Sequence, residues 1–128
     1  MNHLLLACAG GAVGAGARFL VGAGFARLIG ITAGFPWPTL LVNIVGSFLM
    51  GAFIEVLALK YSASPELRVF VATGILGGFT TFSAFSLDFV TLMARKEEML
   101  AAIYVISSVT LSLAAIYAGM AIARQVLA

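Results

Sequence analysis

The sequence predicts an all-α integral membrane protein with four membrane-spanning helices, the third of them broken partway across. Composition is the first reason: hydrophobic residues make up 62 % of the 128 and charged residues 9 %, against about 25 % charged in a soluble domain. The second is four apolar stretches, residues 4–28, 38–59, 66–94 and 99–124, each near the roughly 20 residues that cross a bilayer. The third is the run GILGGFTTFSAFSLD, Gly74 to Asp88, which interrupts the third stretch with Gly77-Gly78 and Thr80-Thr81. Paired glycines followed by β-branched hydroxyl residues weaken a continuous helix. All 128 residues fit one domain.

The first span is studded with glycine, and Gly10-x-x-x-Gly14 offers a smooth face for another helix. The N-terminus lacks the basic region of a cleavable signal, so the span is expected to be retained. Cys8 is expected as a small buried thiol and His3 as part of a frayed terminus. Arg18 falls near the middle of the span, where a charge is costly. A water-filled vestibule and a snorkelling side chain both explain it. Gly30 to Pro38 forms the first connection, with Trp37 as an interface anchor and Pro38 at the opening of the second span. That span carries Asn43 inside and Glu55 toward its end. Tyr61 to Pro65 is a short loop, and Ser64-Pro65-Glu66 begins the third helix.

The third span contains the break, where freed backbone groups are tolerated in lipid only under cover of protein or water. Such breaks can turn carbonyls and amides toward an ion. Close packing of glycines in an ordinary helix is the competing account. Phe82 and Phe85, three apart on one face, suit either plain packing or an anion held by ring edges. On the fourth span Tyr104, Ser108 and Ser112 recur every four residues and share a face, as a polar track would. Asn43 suits either an anion donor or a bond to a neighbouring helix.

Charge excludes several functions. The net charge of +2 comes with seven basic residues and no dense patch, so no nucleic-acid partner is expected. With one cysteine and one histidine, no zinc site is expected. There is no Ser/His/acid set, and no enzyme activity is expected. Lys60, Arg68 and Arg124 fall on one side of a four-span chain, and Arg27, Arg95 and Lys96 on the other. Orientation follows such a bias, and here there is none. Insertion in both orientations with antiparallel pairing is one reading, and a miscounted boundary is the other.

Three motifs stand in order: Gly10-Gly11-x-x-Gly14-Ala15-x-x-Arg18-Phe19, Thr39-Leu40-x-Val42-Asn43-x-x-Gly46-Ser47-Phe48, and Gly74-x-x-Gly77-Gly78-Phe79-Thr80-Thr81-Phe82-Ser83-x-Phe85-Ser86. Together they closely resemble the bacterial small fluoride channels of the CrcB (Fluc) family, over nearly the whole chain. The resemblance implies an antiparallel, dual-topology homodimer in the cell inner membrane, in contact with lipid, that exports fluoride passively and confers fluoride resistance. It implies a fluoride pathway along Asn43, Phe82, Phe85, Thr39, Tyr104, Ser108 and Ser112, with Arg18 in a vestibule. It further implies a structural Na⁺ at the dimer centre, held by the backbone carbonyls of Gly77 and Thr80. Asp88 stands where that family usually has Glu, which puts its hydrogen bond near the pathway mouth in question, and Phe19 replaces the more usual Tyr. The rival readings are a small dual-topology proton-coupled multidrug exporter, which needs a membrane-embedded carboxylate, and a helper subunit that conducts nothing.

Overall fold

The computed structural model describes residues 2–28, 34–59 and 64–127; Gly30, Lys60 and Tyr61, used above for the connections and the charge balance, lie outside them. The described residues are helical, in the order α1 (His3–Leu28), α2 (Trp37–Leu59), α3 (Pro65–Arg68), a π-helical segment (Val69–Leu76), α4 (Gly77–Phe79), α5 (Phe82–Ala94) and α6 (Glu98–Leu127). Four stretches are long and apolar enough to cross a membrane: His3–Leu28, Trp37–Leu59, Pro65–Ala94 and Glu98–Leu127.

Local chemistry sets the ends. Asn2 Oδ1 accepts from Leu4 N–H at 2.9 Å, which caps α1 and draws His3 into the helix rather than leaving it frayed. His3 Nε2 then lies 3.8 Å from a Glu66 carboxylate oxygen. Ser64 caps α3 through Leu67 N–H, with Pro65 in the first turn, a position that needs no amide hydrogen. The turn after α5 is a Schellman closure: Glu97 N–H reaches Leu92 O at 2.9 Å and Lys96 N–H reaches Met93 O at 3.0 Å. Lys96 takes φ 59° there, a left-handed conformation that glycine usually fills.

The helices associate as two parallel pairs. In the first, Gly10 and Gly14 of α1 lie against the backbone of Phe70, Gly74 and Ile75, and the absence of side chains lets the two backbones meet. Over Val69–Leu76 the chain widens to π geometry, seen in Gly77 N–H reaching back five residues to Ala72 O. In the second pair, Gly51 of α2 meets the carbonyl of Ile116, and Gly119 of α6 meets that of Phe48. Arg124 at the far end of α6 donates to Glu55 at the far end of α2, at 2.8 and 3.0 Å. At the near end Leu40, Leu92, Ala101 and Tyr104 form a buried cluster with Phe35, Phe85 and Phe89 against it.

Much apolar surface is left uncovered within one chain, including Phe19, Leu20, Phe82 and Tyr117. Cys8 is also exposed, contrary to the buried thiol expected. Only some of the positions on α1 turn inward, Gly10 and Gly14 being its buried residues, so a small residue on the opposite face stays outside.

Candidate functional site

Between α4 and α5 the chain leaves helical geometry. Thr80 has φ −80°, ψ 158° and Thr81 φ −153°, ψ 127°, so two residues run extended before α5 starts. A helix end strands its last carbonyls and the next helix strands its first amides, and several of these groups meet a named partner here. Thr80 N–H and Thr80 Oγ1–H both donate to Leu76 O, each at 3.0 Å. Arg18 Nε donates to Gly78 O at 3.2 Å, placing a cation at a helix C-terminus, where the partial charge is negative. Thr81 Oγ1 accepts from Ala84 N–H at 3.1 Å and caps α5.

Asn43, from α2, engages the extended residue on both sides. Its Nδ2 donates to Thr81 O at 3.1 Å, and Thr81 N–H donates to its Oδ1 at 2.8 Å. Of the two alternatives open from sequence, this geometry is a bond to a neighbouring element, and it leaves one Nδ2–H uncommitted. Two carbonyls are thereby deprived of their ordinary helical donors. Thr81 N–H would close a turn on Gly77 O, and Ala84 N–H on Thr80 O; both amides are used elsewhere.

Beside the break lies a groove of about 380 Å³, lined among others by Asn43, Thr81, Phe82, Phe85, Ser108 and Ser112. Phe82 and Phe85 sit 5.3 Å apart between ring centroids, tilted by 47°, and Phe82 is 77 % exposed. Phe85 packs on Tyr104 at 5.2 Å. Ser108 Oγ and Ser112 Oγ are buried, and among the described residues neither has a hydrogen-bond partner. Burying a hydroxyl without a partner costs about 1–3 kcal/mol, so two in succession on one helix face require an account.

Tyr104 is not a free member of this row. Its hydroxyl donates to Asp88 Oδ2 at 2.9 Å, with Thr39 as a second polar neighbour. The shorter Asp88 side chain therefore still reaches a donor. Thr39 and Arg18 instead line a second groove of about 320 Å³, between α1, α2 and α5, which shares Thr81 with the first.

Three partners were not identified from sequence: Thr81 as the residue on which Asn43 closes, Gly78 O as the acceptor for Arg18, and the Glu55–Arg124 pair. The first two had a faint signal, since an amide and a guanidinium inside a span must find partners. Among the described residues no three of His, Cys, Asp or Glu cluster as a metal site would need.

Fold and site together define a small multi-pass membrane protein whose interrupted third span borders a hydroxyl-lined groove. The family model described as "CrcB-like protein, Camphor Resistance (CrcB)" matches residues 5–120. The chain belongs to that family. It is 50 % identical to a protein of Rhizobium meliloti (strain 1021) over 97 % of this chain and 98 % of the other. It is also 50 % identical to one of Chelativorans sp. (strain BNC1) over 99 % and 100 %, and 51 % identical to one of Rhizobium etli over 97 % and 98 %. Each of these relatives is named a fluoride-specific ion channel, FluC.

Proposed function

We propose that the chain is a passive, fluoride-selective channel of the bacterial inner membrane, working as an antiparallel homodimer, and not an enzyme. The observation that carries this reading is the pair of buried hydroxyls at Ser108 and Ser112, without partners and facing a groove edged by Phe82 and Phe85. Fluoride is small and tightly hydrated, and its passage requires donors that replace water at each step. A hydroxyl supplies one. The uncommitted Nδ2–H of Asn43 supplies another, and the positive ring edges of the two phenylalanines hold the ion between them. Tyr104 serves the pathway by holding Asp88, and Arg18 draws anions toward the second groove. The names of the relatives point the same way.

The homodimer draws support from what one chain leaves open. The groove has no far wall of its own, and the apolar face around Phe82 is exposed. Inserting the two copies in opposite senses agrees with basic residues balanced between the two sides.

The carbonyls of Gly77 and Thr80 fit a structural Na⁺. They are hard oxygen donors of the kind a small cation takes, and their usual amide donors are turned to Asn43 and to the Thr81 hydroxyl. Gly77 is exposed on the chain's surface, so a second copy can add its own pair. When bound, the cation offsets part of the cost of an anion within the bilayer.

A proton-coupled exporter requires a carboxylate free to exchange protons inside the membrane. The buried Glu55 is paired with Arg124 and Asp88 is bonded to Tyr104, so that reading gains nothing. The deciding experiment is fluoride efflux from proteoliposomes, followed with an ion-selective electrode beside chloride. Rapid fluoride release with chloride retained is expected. Silence for both ions, or equal release, overturns the proposal. Paired cysteine labels at the two ends of α6, in a chain with Cys8 replaced, should react in equal measure from each side of intact cells; labelling from one side only excludes the antiparallel dimer.

A further inference from the structure

Asn43 contributes more than a donor to the groove. Thr81 N–H has two acceptors within its reach in the sequence of the fold: Gly77 O, if the helix continued, and Asn43 Oδ1, which holds it at 2.8 Å. The choice between them decides whether Gly77 O is occupied by its own chain. Nδ2 of the same amide ties Thr81 O at 3.1 Å, so the residue is gripped on both backbone groups and cannot rotate back into helical geometry without losing both bonds. Within a membrane-spanning segment few other partners compensate such a loss.

We propose that Asn43 is a positioning residue for the cation site: it keeps the chain at Thr80–Thr81 extended and thereby keeps the Gly77 and Thr80 carbonyls available to a monovalent cation. This rests on the reading that those carbonyls hold such an ion. The physical link is a population. The cation binds only the extended form, so its apparent affinity scales with the fraction of molecules in that form. Without Asn43, Thr81 N–H is left either unpaired or closed on Gly77 O, and the second choice removes a ligand. The donor groove and the cation site thus share one side chain, because the amide that lines the groove also holds the break open.

The test is a Na⁺ titration of thermal unfolding, on the purified full chain in detergent, with N-methyl-D-glucamine replacing Na⁺ at constant ionic strength. The unfolding midpoint of the unsubstituted protein is expected to rise with NaCl. Asn43→Leu is expected to need at least about tenfold more Na⁺ for half of that rise, whereas Asn43→Asp, which keeps an acceptor for Thr81 N–H, stays within about threefold. Should Asn43→Leu fail to fold, Asn43→Ser takes its place, since its side chain is too short to span to Thr81. A leucine or serine variant with the unsubstituted Na⁺ midpoint overturns the role of Asn43 while leaving the cation site standing. An unsubstituted protein that ignores Na⁺ removes the site itself, and the proposal with it.

Discussion

The phenol of Tyr104, at 0 % exposure, donates to Asp88 Oδ2 across the α5–α6 contact at 2.9 Å. Its ring meets Phe35 edge-on at 5.6 Å and Phe85 at 5.2 Å. The hydroxyl and the ring therefore do separate jobs. Tyr104→Phe keeps the ring packing and takes away the donor. A loss of about 1–3 kcal/mol in stability is expected from the unsatisfied carboxylate, with fluoride efflux reduced about tenfold if that carboxylate orders the pathway mouth. Asp88→Asn retains an acceptor for the phenol and is expected to unfold closer to the unsubstituted protein than Tyr104→Phe does. Thermal unfolding and electrode assays on the same preparations check both.

Phe82 and Phe85 form one aromatic pair, yet their surroundings differ. Phe82 is 77 % exposed within the chain, whereas Phe85 packs against the buried cluster around Tyr104. Replacing Phe82 by Ile is expected to cut fluoride flux by about tenfold or more with the unfolding midpoint of the protomer nearly unchanged. Phe85→Ile is expected to lower flux and also to cost about 1–3 kcal/mol, because a smaller side chain leaves unfilled volume beside the buried cluster. Undiminished flux in both variants, with the size-exclusion profile unchanged, would remove both rings from the proposed pathway.

Much of the fold is legible in the sequence because hydrophobic length is a local property. The four spans follow from runs of apolar residues, and the face shared by Tyr104, Ser108 and Ser112 follows from helical period. The weak point at Gly77–Thr81 is legible too, since paired glycines and threonines disfavour helix wherever they stand. Partners are another matter. Asn43 advertises a need for hydrogen bonds, but not that Thr81, 38 positions on, meets it with both backbone groups. Nor does any period announce the π geometry of Val69–Leu76, which belongs to a segment laid against the glycines of α1. Gly51 and Gly119 read as two more small residues until the parallel packing of α2 and α6 sets each against a carbonyl. Cys8 misleads because small size alone does not say which face of a lipid-exposed helix a residue occupies.

Lys96 sits at φ 59° in the closure after α5. A side chain in the left-handed region crowds its own backbone, at a cost of about 1–2 kcal/mol that glycine avoids. The hydrogen bonds of the turn are made by backbone groups alone, so nothing of the closure is lost with the lysine side chain. Lys96→Gly is expected to raise stability by about 0.5–1 kcal/mol, after the greater unfolded-state freedom of glycine is set against the relieved strain. Lys96→Val, β-branched in the same conformation, is expected to lower it. The two unfolding midpoints moving in the same direction would contradict the left-handed assignment.

Arg124 and Glu55 are an unequal pair. The carboxylate side chain is 7 % exposed and the guanidinium side chain 60 %, so one partner is held by protein and the other by solvent or lipid headgroups. Removing the exposed member strands a buried charge, whereas removing the buried member leaves a cation that is still solvated. Breaking a fully buried pair costs about 3–5 kcal/mol, and screening at the arginine lowers this to about 1–3 kcal/mol here. Arg124→Met is therefore expected to destabilise more than Glu55→Gln. Adding Glu55→Gln to Arg124→Met should recover part of the loss, because the charge that lacked a partner is gone. The four proteins of that cycle, unfolded thermally in the same detergent, give the coupling directly. A double variant no more stable than Arg124→Met would mean that the pair holds α2 and α6 in register by geometry alone, with no contribution from the buried charge.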